Sequence, residues 1–291
     1  MSRRKIGAVI SDLHVGHTLG LCNPDSTVSS DADGKLRQVP VKLNDFQIYL
    51  WSQYLHFVET VKEVAGKDEV FVLCMGDLTQ GKQFMRELMS TRMADQITLA
   101  VDALAPLLRL PNIRFVRLIK GTGAHVFEEG SSEILVAEKL HSDYPKLDIQ
   151  PLYHGLLSVG GCGIDYSHHG SIGGSRAWLT GNECRYYLRS MMIQHLERGQ
   201  EPPQLVLRGH YHRRIKETLT YWHNDGGDDV EYQSTLLLIP SFCGLDDFAR
   251  KAAKSPDAVV NGGAIVVVED GRLLSTQFAS KTLDIRTREQ L

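Results

Sequence analysis

What is scarce in this chain narrows it first. The 291 residues hold only five cysteines, Cys22, Cys74, Cys162, Cys184 and Cys243, odd in number, widely spaced and without a CxxC pair. That usage excludes a disulfide framework or a zinc–thiolate site and reads as reduced thiols of a cytosolic protein. Net charge is scarce too. The 32 basic against 35 acidic side chains leave −3, so the chain as a whole is no general polyanion binder, although a local basic site stays open. No apolar run approaches the roughly 20 residues of a membrane helix, and the run Ile6–Ile10 behind the basic start is too short for a signal peptide. A soluble cytoplasmic protein with no membrane partner is the expectation. Repeats, low-complexity tracts and Pro-, Ser- or charge-rich linkers are missing, so residues 1–291 are expected to form one domain. With 42% hydrophobic residues, a chain of this length buries its core without covalent help.

Periodicity supplies the elements. Residues 6–10, 69–75 and 113–119 are short apolar runs followed by turn chemistry, which predicts buried strands. Phe46, Leu50, Tyr54, Val58 and Val61 recur at helical spacing within 43–65, and Gly66 supplies a stop. Residues 82–110 read as mostly helical until Pro111, and 131–141 as a further helix. Residues 19–42 are rich in Gly, Ser, Asp, Asn and Pro and read as an inserted loop or small hairpin. The second half changes character. Two short strands flank Gly160-Gly161 within 156–166, a helix is predicted over 176–198 and a strand over 205–207. A hairpin joins 215–222 to 230–239, and Asp270-Gly271 turns a strand at 264–268 into one at 273–278. Strand–helix alternation followed by hairpins predicts an α/β (α+β) fold with two sheets packed together and helices outside.

Five polar segments each follow a predicted strand: Asp12-Leu13-His14, Gly76-Asp77, Gly121-Thr122-Gly123-Ala124-His125, Ser167-His168-His169-Gly170 and Gly209-His210-Tyr211-His212. Ligand sites of α/β sheets gather at the carboxyl ends of strands, so the five are expected to converge. Mixed carboxylate and imidazole donors suit divalent manganese, iron or zinc, with oxygen-only sites leaning to magnesium. In extended chain, alternation puts Asp12 with His14, and His210 with His212, on one side. A single carboxylate such as Asp77 can bridge two cations. Two metals about 3.5–4 Å apart clamp the attacking and leaving oxygens of a phosphoryl group, and they drive the pKa of bound water from about 15.7 toward about 7. A lone DxH or GHxH arises easily on a polar surface; an ordered set, each member at a strand end, does not. His17, His141, His195 and His223 fall outside the set and read as structural.

The order DxH, GD, a glycine-rich turn ending in His, a strand ending in His-Gly, then GHxH, over residues 6 to 212, resembles the calcineurin-like metallophosphoesterase superfamily. The resemblance implies a four-layer αββα sandwich and two divalent metal ions, manganese first, with iron, zinc or magnesium as alternatives. It implies Asp12, His14 and His212 on one metal, His169 and His210 on the other, Asp77 bridging, and His125 as the acid that protonates the leaving oxygen. One departure stands out. The family usually has Gly-Asn-His followed by Asp or Glu, and this chain has Gly123-Ala124-His125-Val126. The amide ligand is thereby replaced by Ala124; either the Thr122 hydroxyl reaches the site, or His125 shifts from catalytic to ligand duty. The Gly-Thr-x-Ala-His turn is similar to that of bacteriophage-encoded members, which would act in a host cytoplasm.

His168 reads as a hydrogen-bonded partner beside the ligand His169, with contact to substrate as the alternative. Arg176, Asn182 and Arg185 follow the His-His-Gly turn; arginine forks match phosphate, and Trp178 offers a stacking face for a base, although a solvated helix start gives the same pattern. The expected activity is therefore a phosphodiesterase or nuclease acting on a nucleotide or nucleic acid. A phosphomonoesterase is the rival within the class, and a non-catalytic binding scaffold the rival outside it. The protein Ser/Thr phosphatase branch is disfavoured, because Gly76-Asp77-Leu78-Thr79-Gln80 lacks its Asp-Arg and Lys120 stands where it has Arg.

Overall fold

The computed structural model describes residues 4–31, 34–83, 85–125, 132–170, 180–225, 227–245 and 257–287. In chain order these form β1 (Lys5–Ile10), the hairpin β2 (Thr27–Ser30) and β3 (Arg37–Pro40), α1 (Asp45–Ala65), β4 (Glu69–Cys74), α2 (Met93–Leu108), β5 (Ile113–Ile119), α3 (Ser132–Asp143) and β6 (Asp148–Leu152). Then follow β7 (His154–Val159), β8 (Cys162–Ser167), α4 (Thr180–Glu197), β9 (Leu205–Arg208), β10 (Ile215–Asp225), β11 (Asp228–Leu238), β12 (Ala258–Glu269) and β13 (Arg272–Asp284). Six strands make one mixed sheet in the order β13-β12-β1-β4-β5-β6, and five make a second in the order β10-β11-β9-β8-β7. Within the first, β1, β4, β5 and β6 run parallel. Within the second, β8, β9 and β11 do so.

Alternation along continuous apolar strands builds the layers, because a strand buried on both faces feeds two cores at once. Ile6, Ala8 and Ile10 of β1 and Val70, Val72 and Cys74 of β4 join the core shared with α1, α2 and α3. Their neighbours Val9, Phe71, Leu73 and Met75 face the other way, into a core shared with Ile164, Tyr166, Leu205 and Leu207 of the second sheet. On the far side of that sheet, Val206, Leu236 and Leu238 pack against Leu188 and Met192 of α4. The order helix, sheet, sheet, helix is the expected sandwich.

Local chemistry explains where elements start and stop. Asn44 caps α1 by accepting from Gln47 N, while the Gln47 side chain bonds back to Asn44 N, a capping box. Asp270 and Gly271 both take left-handed backbone, which a two-residue hairpin turn requires. The segment 82–92 departs from the helical expectation: its described residues are irregular apart from a 3-10 turn at Met85–Glu87, and α2 begins only at Met93. Its backbone is used elsewhere. Met89 N donates to Gly16 O at 2.7 Å and Glu87 O accepts from Thr18 N at 2.8 Å, so the segment lies on the loop after β1 instead of closing its own helical bonds. The edge strand β6 escaped the sequence reading because Pro151 sits inside it; an edge tolerates the missing donor. The hairpin within 19–42 is fastened by buried Asp95 of α2, which accepts from Ser29 N at 3.1 Å and Ser29 Oγ at 2.7 Å. All five cysteines are buried, and none is in a disulfide. Among the described residues, no helix is long and apolar enough to cross a membrane.

Phe71 is 2% exposed and stacks on Phe115, ring centroids 5.5 Å apart, between the two sheets. Phe71→Ala is expected to cost about 3–5 kcal/mol, read from the urea midpoint at unchanged slope.

Candidate metal centre

Five loops leave the carboxyl ends of β1, β4, β5, β8 and β9, and the first two are laced together beyond their strands. Asp12 N donates to Gly76 O at 3.0 Å, His14 N to Asp77 O at 3.0 Å and Val15 N to Leu78 O at 2.9 Å. The second sheet is joined to them through His210 N, which donates to Asp12 Oδ2 at 3.0 Å, and through Gly209 N, which donates to His168 O at 3.1 Å. Glycines let the loops close. A side chain at Gly121 would collide with Asp77, and one at Gly76 would meet the His168 ring, 2.5 Å from its Nδ1.

The convergence is real, but it is not made of extended chain. Among the described residues, non-glycine positions with left-handed backbone are Asp12 (φ 52°), His14 (44°), Asp77 (51°), His210 (67°), His212 (49°) and the turn residue Asp270. The pairs Asp12/His14 and His210/His212 share a side because both members adopt that rare conformation, not because a strand alternates. Such a backbone costs about 1–3 kcal/mol per residue and persists where the surroundings overdetermine it.

The side chains form overlapping donor groups: Asp12, His14 and His212; His168, His169 and His210; and, linking them, Asp12, Asp77 and His168, with His14, Asp77 and His125 beside. His212 Nε2 lies 3.2 Å from Asp12 Oδ1, His168 Nε2 lies 3.0 Å from Asp77 Oδ2, and His125 Nε2 lies 4.0 Å from the same oxygen. The donors fit metal ions by a test independent of residue type. His14 Nε2 is buried with no hydrogen-bond partner, and Asp12 Oδ1, equally buried, has only the charge contact of His212 Nε2 at 3.2 Å; buried polar atoms are rarely left so. Both belong to the first donor group.

Three histidines have the wrong nitrogen tied back. His14 Nδ1 is 2.9 Å from Gln80 Oε1, His125 Nδ1 is 2.9 Å from Gln80 O, and His168 Nδ1 is 2.6 Å from Met75 O. Facing an acceptor, each Nδ1 carries its proton and donates, so each Nε2 is left for the centre, the arrangement that fixes metal-binding imidazoles. Asp12 Oδ2 likewise accepts from Ser11 Oγ and His210 N, which aims Oδ1 inward. Gln80 and Ser11 had no place in the sequence reading. The only signal was their adjacency to the DxH and GD motifs.

Protonation answers the buried carboxylates. Burial opposes charge on Asp12, yet His212, His168 and His14 hold its carboxyl far below the usual range. Burial opposes charge on Asp77 too, and His168 overrides it in the same direction. Burial would lower His168, but the bond to Asp77 and the charge of Asp12 push it up to about 9. His212 is raised against burial by Asp12. The others go down: His14 to about 3 through burial and the charge of His125, His210 to about 4 through burial and His168, and His169 through the same two causes. Protons on His168 and His212 thus stand where positive charge is needed.

Between the two adjacent histidines, the structure sets His168 against Asp77. It is 1% exposed, whereas His169 is exposed and joins only the group with His168 and His210. His168 thus faces Asp77 as well as standing in one group with His169 and His210. Thr122 is inside the centre: its N donates to Asp77 Oδ1 at 2.6 Å and its hydroxyl to Asp77 Oδ2 at 3.0 Å. Asn182 and Arg185 lie exposed on α4, outside the donor groups, and Arg185 Nε is engaged by Glu217 at 2.6 Å. Arg185 is thus joined through its Nε to Glu217 of β10. Arg176 and Trp178 lie outside the described residues.

No family model matches the chain. No curated protein matches it either. Among solved structures the chain is similar to a protein of unknown function, AQ665, from Aquifex aeolicus, with 16% identity, a TM-score of 0.31, and coverage of 71% of this chain and 78% of that one. A likeness of that size carries no argument about chemistry.

Two outcomes follow from this geometry. The folded value of His168, about 9, lies above the ordinary 6.5, so its stabilisation is complete below pH 6.5 and is lost as pH rises through 9. His14 and His210, at about 3 and 4, lie below 6.5, so the unfolded chain takes up those protons first and stability also falls on the acid side. Thermal melts in chelator should therefore peak near neutrality, and added manganese should move the peak to higher pH, because metal displaces the proton of His168. Second, Gln80→Leu should weaken metal binding by about 10–100-fold, while Gln80→Glu, which still accepts from His14 Nδ1, should lose less. Competition with a chromophoric chelator measures both.

Proposed function

We propose that this chain is a metal-dependent phosphoesterase of the calcineurin-like kind, with two divalent cations, manganese favoured, and a preference for phosphodiesters of nucleotides or nucleic acid. The observation that carries the reading is the pair of histidine-rich donor groups joined through the buried carboxylates of Asp12 and Asp77. In this reading Asp12, His14 and His212 hold one cation and His168 and His210 the other, with Asp77 shared and His169 at the rim of the second group. Mixed nitrogen and oxygen donors of this kind suit manganese, iron or zinc.

When bound, a divalent pair supplies Lewis acidity toward a phosphoryl oxygen and acidifies water. The chain's own groups do the remainder. Gln80 O holds His125 through Nδ1, so Nε2 is the atom that carries a proton to the leaving oxygen. Asp12 and Asp77, ionised in spite of burial, keep the centre anionic enough to retain cations. The rigid loops fix these groups before substrate arrives, which is where positioning contributes to rate.

Hydrolysis of bis-p-nitrophenyl phosphate and of p-nitrophenyl phosphate, each with manganese and after chelation, tests the reading. Diester turnover that chelation abolishes and manganese restores is expected. Turnover of the monoester alone would replace the diester preference with the phosphomonoesterase reading, and metal retention without any turnover would favour a binding scaffold. Asp77→Asn is expected to abolish turnover and to lower metal content by elemental analysis; wild-type values for both would remove Asp77 from its shared position.

A further inference from the structure

We propose that the Thr122 hydroxyl is a metal ligand, the fourth donor of the second cation beside Asp77, His168 and His210. The inference deepens the two-metal reading and rests on it. Thr122 Oγ1 lies 3.0 Å from Asp77 Oδ2, 3.3 Å from His168 Nε2 and 3.4 Å from His210 Nδ1. His168 Nε2 and Asp77 Oδ2 are themselves 3.0 Å apart. Donors held at about 2.0–2.2 Å from one ion stand about 3.0–3.5 Å from each other, in tetrahedral or octahedral arrangement. These spacings are therefore those of a coordination shell. A hydroxyl has one proton and two lone pairs: it donates to Asp77 Oδ2 and turns its lone pairs toward the two imidazole nitrogens, so a cation that displaces protons from His168 and His210 meets an oxygen already placed among its other donors.

The hydroxyl is also held in place. Thr122 N donates to Asp77 Oδ1 at 2.6 Å, and Gly121 before it has no room for a side chain because Asp77 fills that space. Residue 122 is thus clamped to the shared carboxylate through its backbone, and its short side chain has little choice of direction. Ala124 and Gly123, next along the turn, carry no donor atom. A neutral oxygen in this place adds a hard ligand without adding charge, which favours manganese or magnesium over zinc at the second position.

Thr122 has a rival role, as a group that merely positions Asp77, and the two roles predict different binding curves. Asp77 is shared, so a lost positioning contact weakens both binding steps, whereas a lost ligand weakens one. The test is a manganese titration of the full-length protein after chelator treatment, followed by calorimetry and by electron paramagnetic resonance of the coupled pair. Thr122→Val keeps the shape and the backbone bond to Asp77 but removes the hydroxyl; Thr122→Ser keeps the hydroxyl. Wild type and Thr122→Ser are expected to take up two ions and give the coupled signal. Thr122→Val should bind the first ion unchanged and the second at least tenfold more weakly, with the coupled signal reduced accordingly. Equal second-ion affinity in Thr122→Val overturns the proposal, and so does an equal weakening of both steps. Wild type that binds fewer than two ions removes the two-metal reading and this ligand with it, a result separable from the others. Should Thr122→Val fail to fold, Thr122→Ala makes the same comparison.

Discussion

Two carboxylates sealed from water, Asp12 at 0% and Asp77 at 2% exposure, set the terms for the rest of the structure. An ionised carboxylate taken from water loses several kcal/mol of solvation even after relaxation, and it stays ionised only if positive charge and hydrogen-bond donors replace the water. The loops meet that demand from every side. Ser11 and the backbone of His210 donate to one oxygen of Asp12, the backbone and hydroxyl of Thr122 donate to Asp77, and His168 and His212 supply charge. Without cations these protons balance the acids. On the proposed reading a divalent pair would balance them more strongly, through the same atoms.

The fold serves this demand by geometry. Parallel strands β1, β4 and β5 of one sheet and β8 and β9 of the other end at the same rim. Continuous apolar runs seal both faces of the first sheet, so each strand end is fixed in depth by two cores at once. The left-handed backbone at Asp12, His14, Asp77, His210 and His212 is the local cost of turning donors inward from a strand end. Fully buried Arg208 steadies the second sheet near its contribution. It pairs with Asp165 and donates to Tyr187 Oη, and it lies two residues before His210 and opposite Ser167, the residue before His168. A pair of this kind is costly to break, about 3–5 kcal/mol when one partner is removed, and so it holds β8 and β9 in register at the centre.

Orientation is as much a part of the site as proximity. An imidazole offers two nitrogens, and one that presents the protonated one to a cation is no ligand. Gln80 settles the matter for two rings at once, through its side chain for His14 and through its carbonyl for His125. It is itself held by a second glutamine layer: Gln96 of α2 bonds Gly81 N at 3.0 Å and Gly81 O at 2.8 Å. The layer reaches the loop after β4 from the helix beneath, so α2 acts on the site without touching it.

The sequence by itself determined the sandwich and which polar segments meet at its rim. Apolar runs named the strands of both sheets apart from the edge strand β6, helical spacing named α1, and the five polar segments after strands named Asp12, His14, Asp77, His210 and His212 as a converging set, because those signals are local in the chain. Tertiary structure alone decided which of two neighbouring histidines meets Asp77: both belong to one donor group, and it is His168 that Met75 O, 93 residues away, holds by its Nδ1 with Nε2 toward Asp77. It alone revealed Gln80, whose partner His14 is 66 residues distant, placed Thr122 among three donors, and occupied Arg185 with Glu217. It also replaced extended pairs with left-handed ones. The reason is the same in each case: a local pattern states what a side chain is, but the direction of its donor atom is set by partners that only folding brings within 3 Å or so.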